Sequence, residues 1–312
     1  MKNMQFRNAF SMIELLFVIV IMGIVGGIAL ETIRQYYENI YRTQEYTKRV
    51  SQADHILDQV SKYFENAISS SIVNLDRGTN TGCYGPPIDG DTNDYTIAFV
   101  APDQDTLRVV GTPGWSEDTL LMPNNELNAS DANYAVANTV ITALGSTLRN
   151  SAIYDHESAN IGACARFNWD DAGAAGGYPG FHKLDVAANP ISSTTIRLNA
   201  DNLANDGKRK YLLRTGYAFR VQDNGNFTMY SNFRPWANQR YTAATKINVL
   251  GEKVAHFYAD YDATDFMAND NLNDRGLVWR LKVCMQGLDA DLNDSIAETQ
   301  TICRERRVHV RY

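Results

Sequence analysis

The sequence predicts an α+β protein, a long N-terminal membrane-spanning stalk helix followed by a mainly antiparallel β globular domain. Three observations carry this reading. Residues 10–30, FSMIELLFVIVIMGIVGGIAL, are apolar but for one ionisable side chain, Glu14. Beyond them Val50, Ala53, Leu57, Val60, Phe64 and Ile68 recur at intervals of three and four with charged residues between, the spacing of one helical face. From residue 75 to residue 312 the apolar runs are short and broken by Gly, Pro, Asn and Asp, which is how strands and turns alternate.

Four segments follow: a leader over 1–9, a transmembrane and assembly helix over 10–30, an amphipathic continuation of the stalk over 31–73, and an exported globular domain over 74–312. Twenty-one residues at 1.5 Å make about 31 Å of helix, close to the ~30 Å hydrocarbon thickness. Lys2 and Arg7 in the leader hold the N-terminus in the cytoplasm, and Tyr36, Tyr37 and Tyr41 stand where an interfacial aromatic belt forms. No Pro occurs over 1–84 and no Gly over 28–77, so the helix is expected to run from Phe10 to about Ile72. A cleaved signal peptide, with Gly27-Ile28-Ala29 as its site, is the competing reading. The length of the run and its carboxylate, which costs about 2.5–3.5 kcal/mol at mid-membrane, count against it.

Composition narrows the function classes. The chain has 312 residues, 44% hydrophobic and 21% charged, enough to bury a core. A net charge of -7 argues against a general nucleic-acid or anionic-membrane binder, which needs clustered Lys and Arg. A mean hydropathy of -0.34 excludes a polytopic membrane protein.

The order basic leader, Ala9, then Phe10-Ser11-Met12-Ile13-Glu14-Leu15 opening an apolar helix resembles the type IV prepilins and pseudopilins. Their pattern is a small residue, usually Gly, followed by Phe-Thr-Leu-Ile-Glu; here Ala precedes the cut and Ser-Met replaces Thr-Leu. The resemblance implies that prepilin peptidase cleaves between Ala9 and Phe10 and methylates the new Phe10 amine. It makes Glu14 the assembly residue, pairing with the amine of a neighbouring subunit. A carboxylate buried in an apolar helix needs such a cation, and a subunit in the wrong axial register leaves it unpaired. Farther on, Gly216-Tyr217-Ala218-Phe219-Arg220-Val221, the turn Asp223-Asn224-Gly225-Asn226, the segment Val249-Leu250-Gly251-Glu252-Lys253-Val254-Ala255-His256-Phe257 and Trp279-Arg280-Leu281-Lys282-Val283 are similar to minor pseudopilin J of type II secretion and to W-type minor pilins. That subgroup is usually shorter, and the excess here falls between about residues 74 and 210.

In the distal domain, 95–101 with 107–110 reads as a hairpin around Pro102-Asp103-Gln104-Asp105. The pair 211–221 with 227–233 reads as a second, turned at Asn224-Gly225, and 277–285 with 301–312 as a third. Residues 132–148 fit helix or strand, and 172–180 reads as a loop.

Cys83, Cys164, Cys284 and Cys303 all fall on the exported side, where disulfides persist. Three connectivities are open. Cys284 with Cys303 is favoured, since the last two strands bring them opposite each other, and Cys83 with Cys164 follows by elimination. The spacing lacks a C-x-x-C pair, which argues against zinc.

No cofactor is expected. Calcium is the alternative for the oxygen-rich clusters Asp260, Asp262, Asp265; Asp270, Asn273, Asp274; and Asp289, Asp291, Asn293, Asp294, which lack the EF-hand glycine and terminal glutamate. Glu126-Leu127-Asn128-Ala129-Ser130 and Asp291-Leu292-Asn293-Asp294-Ser295 match the extended bacterial N-glycosylation acceptor. Catalysis lacks a constellation: His55, His156, His182, His256 and His309 are scattered, and no H-E-x-x-H or G-x-S-x-G occurs. Arg307, His309 and Arg311 would share one face of a terminal strand, solvated or turned to an acidic partner.

The expected function is therefore structural and not enzymatic. The chain reads as a single-pass inner-membrane subunit, globular domain outside, that helps initiate or cap a type II secretion pseudopilus or a type IV pilus-like filament. Its expected partners are prepilin peptidase, other minor and major pilins or pseudopilins, and the inner-membrane assembly platform. The rival is a signal-anchored exported binding protein or tip adhesin outside any filament.

Overall fold

A computed structural model of the chain describes residues 12–76, 83–84, 95–109, 112–116, 120–122, 126–128, 131–155, 164, 181–183, 195–197, 210–237, 239–261, 278–287 and 301–310. The chain divides into two units, Met1–Arg49 and Val50–Tyr312.

One helix, α1 (Met12–Phe64), opens the described chain. Its first part lacks any Pro but is rich in β-branched Ile and Val and holds Gly23, Gly26 and Gly27, so its apolar surroundings and not intrinsic propensity favour the helix there. Over the polar stretch, bonds at i,i+4 support it: Arg34 Nε donates to Glu38 at 3.1 Å and Gln35 to Glu31 at 3.2 Å. Thr32, Thr43 and Thr47 return their hydroxyls to the carbonyls of Ile28, Asn39 and Thr43.

The helix stops at Phe64, short of the expected Ile72. Three contacts account for the difference. The Asn66 side chain donates to the Lys62 carbonyl at 2.8 Å, satisfying one of the last turn's acceptors. The Ile68 amide turns to the Val100 carbonyl at 2.9 Å. Ser71 Oγ donates to the Ile68 carbonyl at 2.6 Å and receives the Val100 amide at 3.0 Å. A Ser69–Ser71 turn of 3-10 helix then leads into strand β1 (Val73–Asp76). Short hydroxyl side chains offer the backbone partners outside the helix, and a strand edge takes them up.

In the second unit the main sheet has eight strands among the described residues. Its linear order is β11 (Lys246–Gly251), β10 (Phe227–Phe233), β9 (Lys210–Val221), β3 (Tyr95–Pro102), β1 and β2 (Cys83–Tyr84), with β6 (Ala152–Asp155) on β9 and β7 (Phe181–Lys183) on β6. Every pairing is antiparallel. β12 (Val254–Tyr261), β13 (Val278–Met285) and β14 (Ile302–His309) make a second antiparallel sheet; β4 (Leu120–Met122), β5 (Glu126–Asn128) and β8 (Thr195–Arg197) make a small third. The mainly antiparallel α+β class read from the sequence is thus the class observed.

The Val50–Phe64 end of α1 packs Ala53, Ile56, Leu57, Val60 and Phe64 into one core. Phe99, Phe219 and Phe227 reach it from the main sheet, and Phe257, Trp279, Leu281 and Val283 from the second. Phe64 lies 4.8 Å from Phe99 and 6.3 Å from Trp279, ring centre to ring centre, so one side chain touches both sheets.

The β9–β10 hairpin forms as expected. Gly225 has φ +78, and the Gly225 amide donates to the Gln222 carbonyl at 2.9 Å. The hairpin expected at 95–101 with 107–110 does not form. β3 ends at Pro102, and Gln104–Leu107 is a single helical turn, α2, whose Leu107 and Arg108 amides return to the carbonyls of Asp103 and Gln104. β3 instead pairs with β1 and β9, far away in sequence. An isolated hairpin is weaker than a central position in a sheet, and Asp103, its amide bound to the Leu212 carbonyl at 2.8 Å, starts the turn at the sheet's end.

Residues 132–148, ambiguous in the sequence, hold helix α3 (Tyr134–Ala143). The Asn133 side chain accepts from the amides of Ala135 and Val136, and Gly145 at φ +85 closes the other end with bonds to Thr142 and from Ser146 to Ile141. The expected loop at 172–180 lies outside the described residues.

Candidate functional site

Ala9 and Phe10 lie outside the described residues. Glu14 is the acidic residue in the first turn of α1, where the helix dipole favours a carboxylate. Around and beyond it Ile13, Leu15, Leu16, Phe17, Ile19 and Ile21 are all more than half exposed. The most apolar 18-residue window has mean hydropathy 2.7 and none of it is buried. Among the described residues α1 is the one helix long and apolar enough to cross a membrane. A continuous apolar surface of this extent is stable only against lipid or other apolar helices.

Disulfides join Cys284 to Cys303 and Cys83 to Cys164. The first lies directly across the β13–β14 ladder, Cys284 opposite Cys303. The second ties the two-residue strand β2 to a segment 81 residues on. Both suit an oxidising compartment.

The acidic clusters lie outside the described residues except for Asp260, whose carboxylate receives Arg280 Nε at 3.0 Å. Among the described residues no group of three or more His, Cys, Asp or Glu converges. Asn128 of the first glycosylation match is on the middle strand of the small sheet; the second match lies outside the described residues. On β14 Val308 is buried and Arg307 and His309 are exposed, as the alternation predicts, while Arg311 lies outside the described residues. Arg304 Nε meets Asp54 at 3.0 Å and Arg306 meets Asp58, clamping the strand to α1.

A polar cleft of about 370 Å³ was not visible in the sequence. It opens where the last turn of α1, the end of β3, the middle of β9, α2, β10 and β11 converge. Arg214 lines it, Nε donating to Asp103 at 3.0 Å and Nη2 to Asp105 at 3.0 Å. Asp103 is buried, and its second oxygen has no donor among the described residues. Burial therefore pushes the Asp103 carboxyl above its ordinary value, outweighing the guanidinium beside it. Burial alone would also lower Arg214, but the charges of Asp103, Tyr217 and Asp105 and the Asp103 hydrogen bond together hold it above its ordinary value. Burial likewise pushes the Tyr217 phenol up to about 12. Lys62, Lys246 and Asn248 complete the mouth, all exposed. In the sequence Arg214 was only one of three cations, with Lys210 and Arg220, in a strand otherwise rich in apolar residues.

No protein-family model, curated protein or solved structure matches the chain.

Proposed function

We propose that the chain is a minor pilin or pseudopilin, a structural subunit that helps initiate or cap a pseudopilus or type IV pilus-like filament. Glu14 carries the reading: one carboxylate in the first turn of an apolar, uncovered helix. In a bilayer or a filament core that group requires a cation, and an amine exposed by cleavage after Ala9 on a neighbouring subunit supplies one in a single axial register. The helix then anchors the chain in the inner membrane and later packs among the helices of other subunits. The disulfide-bonded β unit lies on the extracytoplasmic side. The work is assembly through the helix, with prepilin peptidase and the assembly platform acting on it in turn.

The test is the N-terminal sequence and mass of the mature protein from membranes, paired with Glu14→Ala. Expected are a start at Phe10 with one added methyl, and a variant that still inserts but no longer enters filaments. An intact Met1, a start near Leu30, or normal assembly of the variant overturns the proposal.

A further inference from the structure

Among the described residues three strands of the main sheet have one unpaired side, β2, β7 and β11, and they differ. β2 is two residues long and held by the Cys83–Cys164 disulfide, and β7 is three residues long, so little edge is open at either. β11 runs for six residues, and among the described residues no strand pairs with its outer side. Strand edges in native proteins are protected by brevity, by proline or by charge along their length. β11 has one charge, Lys246 at its start, and exposes Ile247 (58%) and Val249 (55%), the only large apolar side chains exposed among the described residues of the second unit.

The two faces of this edge are chemically different. Lys246 and Asn248 lie opposite Ser231 and Met229 and line the polar cleft; Ile247 and Val249 lie opposite Tyr230 and Thr228 on the other face. At the mouth of the cleft Lys62 and Lys246 are exposed, and neither ammonium has an acceptor among the described residues. The two carboxylates lining the cleft, Asp103 and Asp105, are both held by Arg214. The lining thus carries three cations, Arg214, Lys62 and Lys246, against two carboxylates, a surplus of one positive charge.

We propose that β11 binds an extended segment of another protein by strand addition, and that this segment alternates acidic and apolar residues. Its backbone pairs with the open edge. Its acidic side chains lie on the cleft face beside Lys62 and Lys246, and its apolar ones cover Ile247 and Val249. A β-strand presents alternate residues to opposite faces, so one continuous segment meets both requirements only with that period. The inference rests on the β unit alone and goes beyond the assembly reading, so either can fail without the other.

The test uses the full chain in detergent and three fluorescein-labelled peptides read by anisotropy. One alternates Glu and Val, one alternates Lys and Val, and one repeats the Glu peptide with its central amides N-methylated. The Glu peptide is expected to saturate, and the Lys and N-methylated peptides to bind at least about tenfold more weakly. Lys62→Glu with Lys246→Glu, both at exposed positions, is expected to invert the preference between the Glu and Lys peptides. Ile247→Thr with Val249→Thr is expected to weaken the Glu peptide while circular dichroism stays unchanged. Equal binding of the Glu and Lys peptides, indifference to N-methylation, or an unchanged preference after charge reversal overturns the proposal. Self-association of the chain, removed by the threonine variant and accompanied by no peptide binding, assigns the edge to a second copy and overturns it too.

Discussion

Tyr217 joins the aromatic core to the polar cleft: its ring lies 5.3 Å from Tyr63 and 5.8 Å from Phe99, and it lines the same cleft as Arg214. The folded protein keeps its proton up to about pH 12, while an unfolded chain releases it near 10. Between those values the unfolded state binds fewer protons, so stability falls as pH rises. The contribution is full below about pH 10 and is lost through about 12. Tyr217→Phe is expected to remove one late-ionising phenol from the alkaline absorbance titration and to flatten the decline in urea midpoint above pH 10. Gly114 shows another residue-level constraint, since a Cβ there would sit 2.8 Å from the Ala137 backbone where the chain passes α3. Neither constraint was readable locally. Asp103 and Arg214 are 111 residues apart, and the pair Asp103–Asp105 looks like ordinary turn chemistry until β9 brings Arg214 against it.

Among the elements, the end of α1 combines two kinds of contact that differ in magnitude. Leu57 is 1% exposed in the shared core, and Leu57→Ala is expected to cost about 2–5 kcal/mol from lost burial and the cavity left behind. Asp54 and Arg304 are both more than 40% exposed, and Asp54→Asn is expected to cost only about 0.2–1 kcal/mol. Urea unfolding of the two variants measures both, and a larger loss for Asp54→Asn would show that the ion pairs, and not the apolar stripe, hold the helix on the sheets. The stripe was legible because the 3.6-residue period is local. The end of the helix was not, because Ile68 leaves it for a carbonyl of β3. The expected 95–110 hairpin failed for the same reason: neighbours in sequence are natural partners only until a longer ladder competes for the strand.

For the whole molecule, the disulfides span very different lengths of chain, with separations of 81 and 19 residues. Closing a longer loop restricts the unfolded chain more, by about 1.3 kcal/mol on the chain-entropy account. Cys83→Ser with Cys164→Ser is therefore expected to destabilise more than Cys284→Ser with Cys303→Ser, measured as the difference in urea midpoint at equal slope. The reverse order would mean that the β13–β14 ladder depends on its bridge beyond chain entropy.

By itself the sequence determined the apolar helix with its single carboxylate, the antiparallel β character, the β9–β10 hairpin with its Asn-Gly turn, and the apolar helical stripe from Val50 to Phe64, though not that Ile68, read as part of it, lies beyond the helix. Each is set by neighbours a few residues apart, through helix period, strand alternation or the φ that glycine permits. Tertiary structure alone decided where α1 stops, that β3 lies between β1 and β9, how Arg214 gathers two carboxylates, and that among the described residues β11 is left at an open edge. Those depend on which distant segments win a place in the sheet, a competition between ladders that no local pattern encodes.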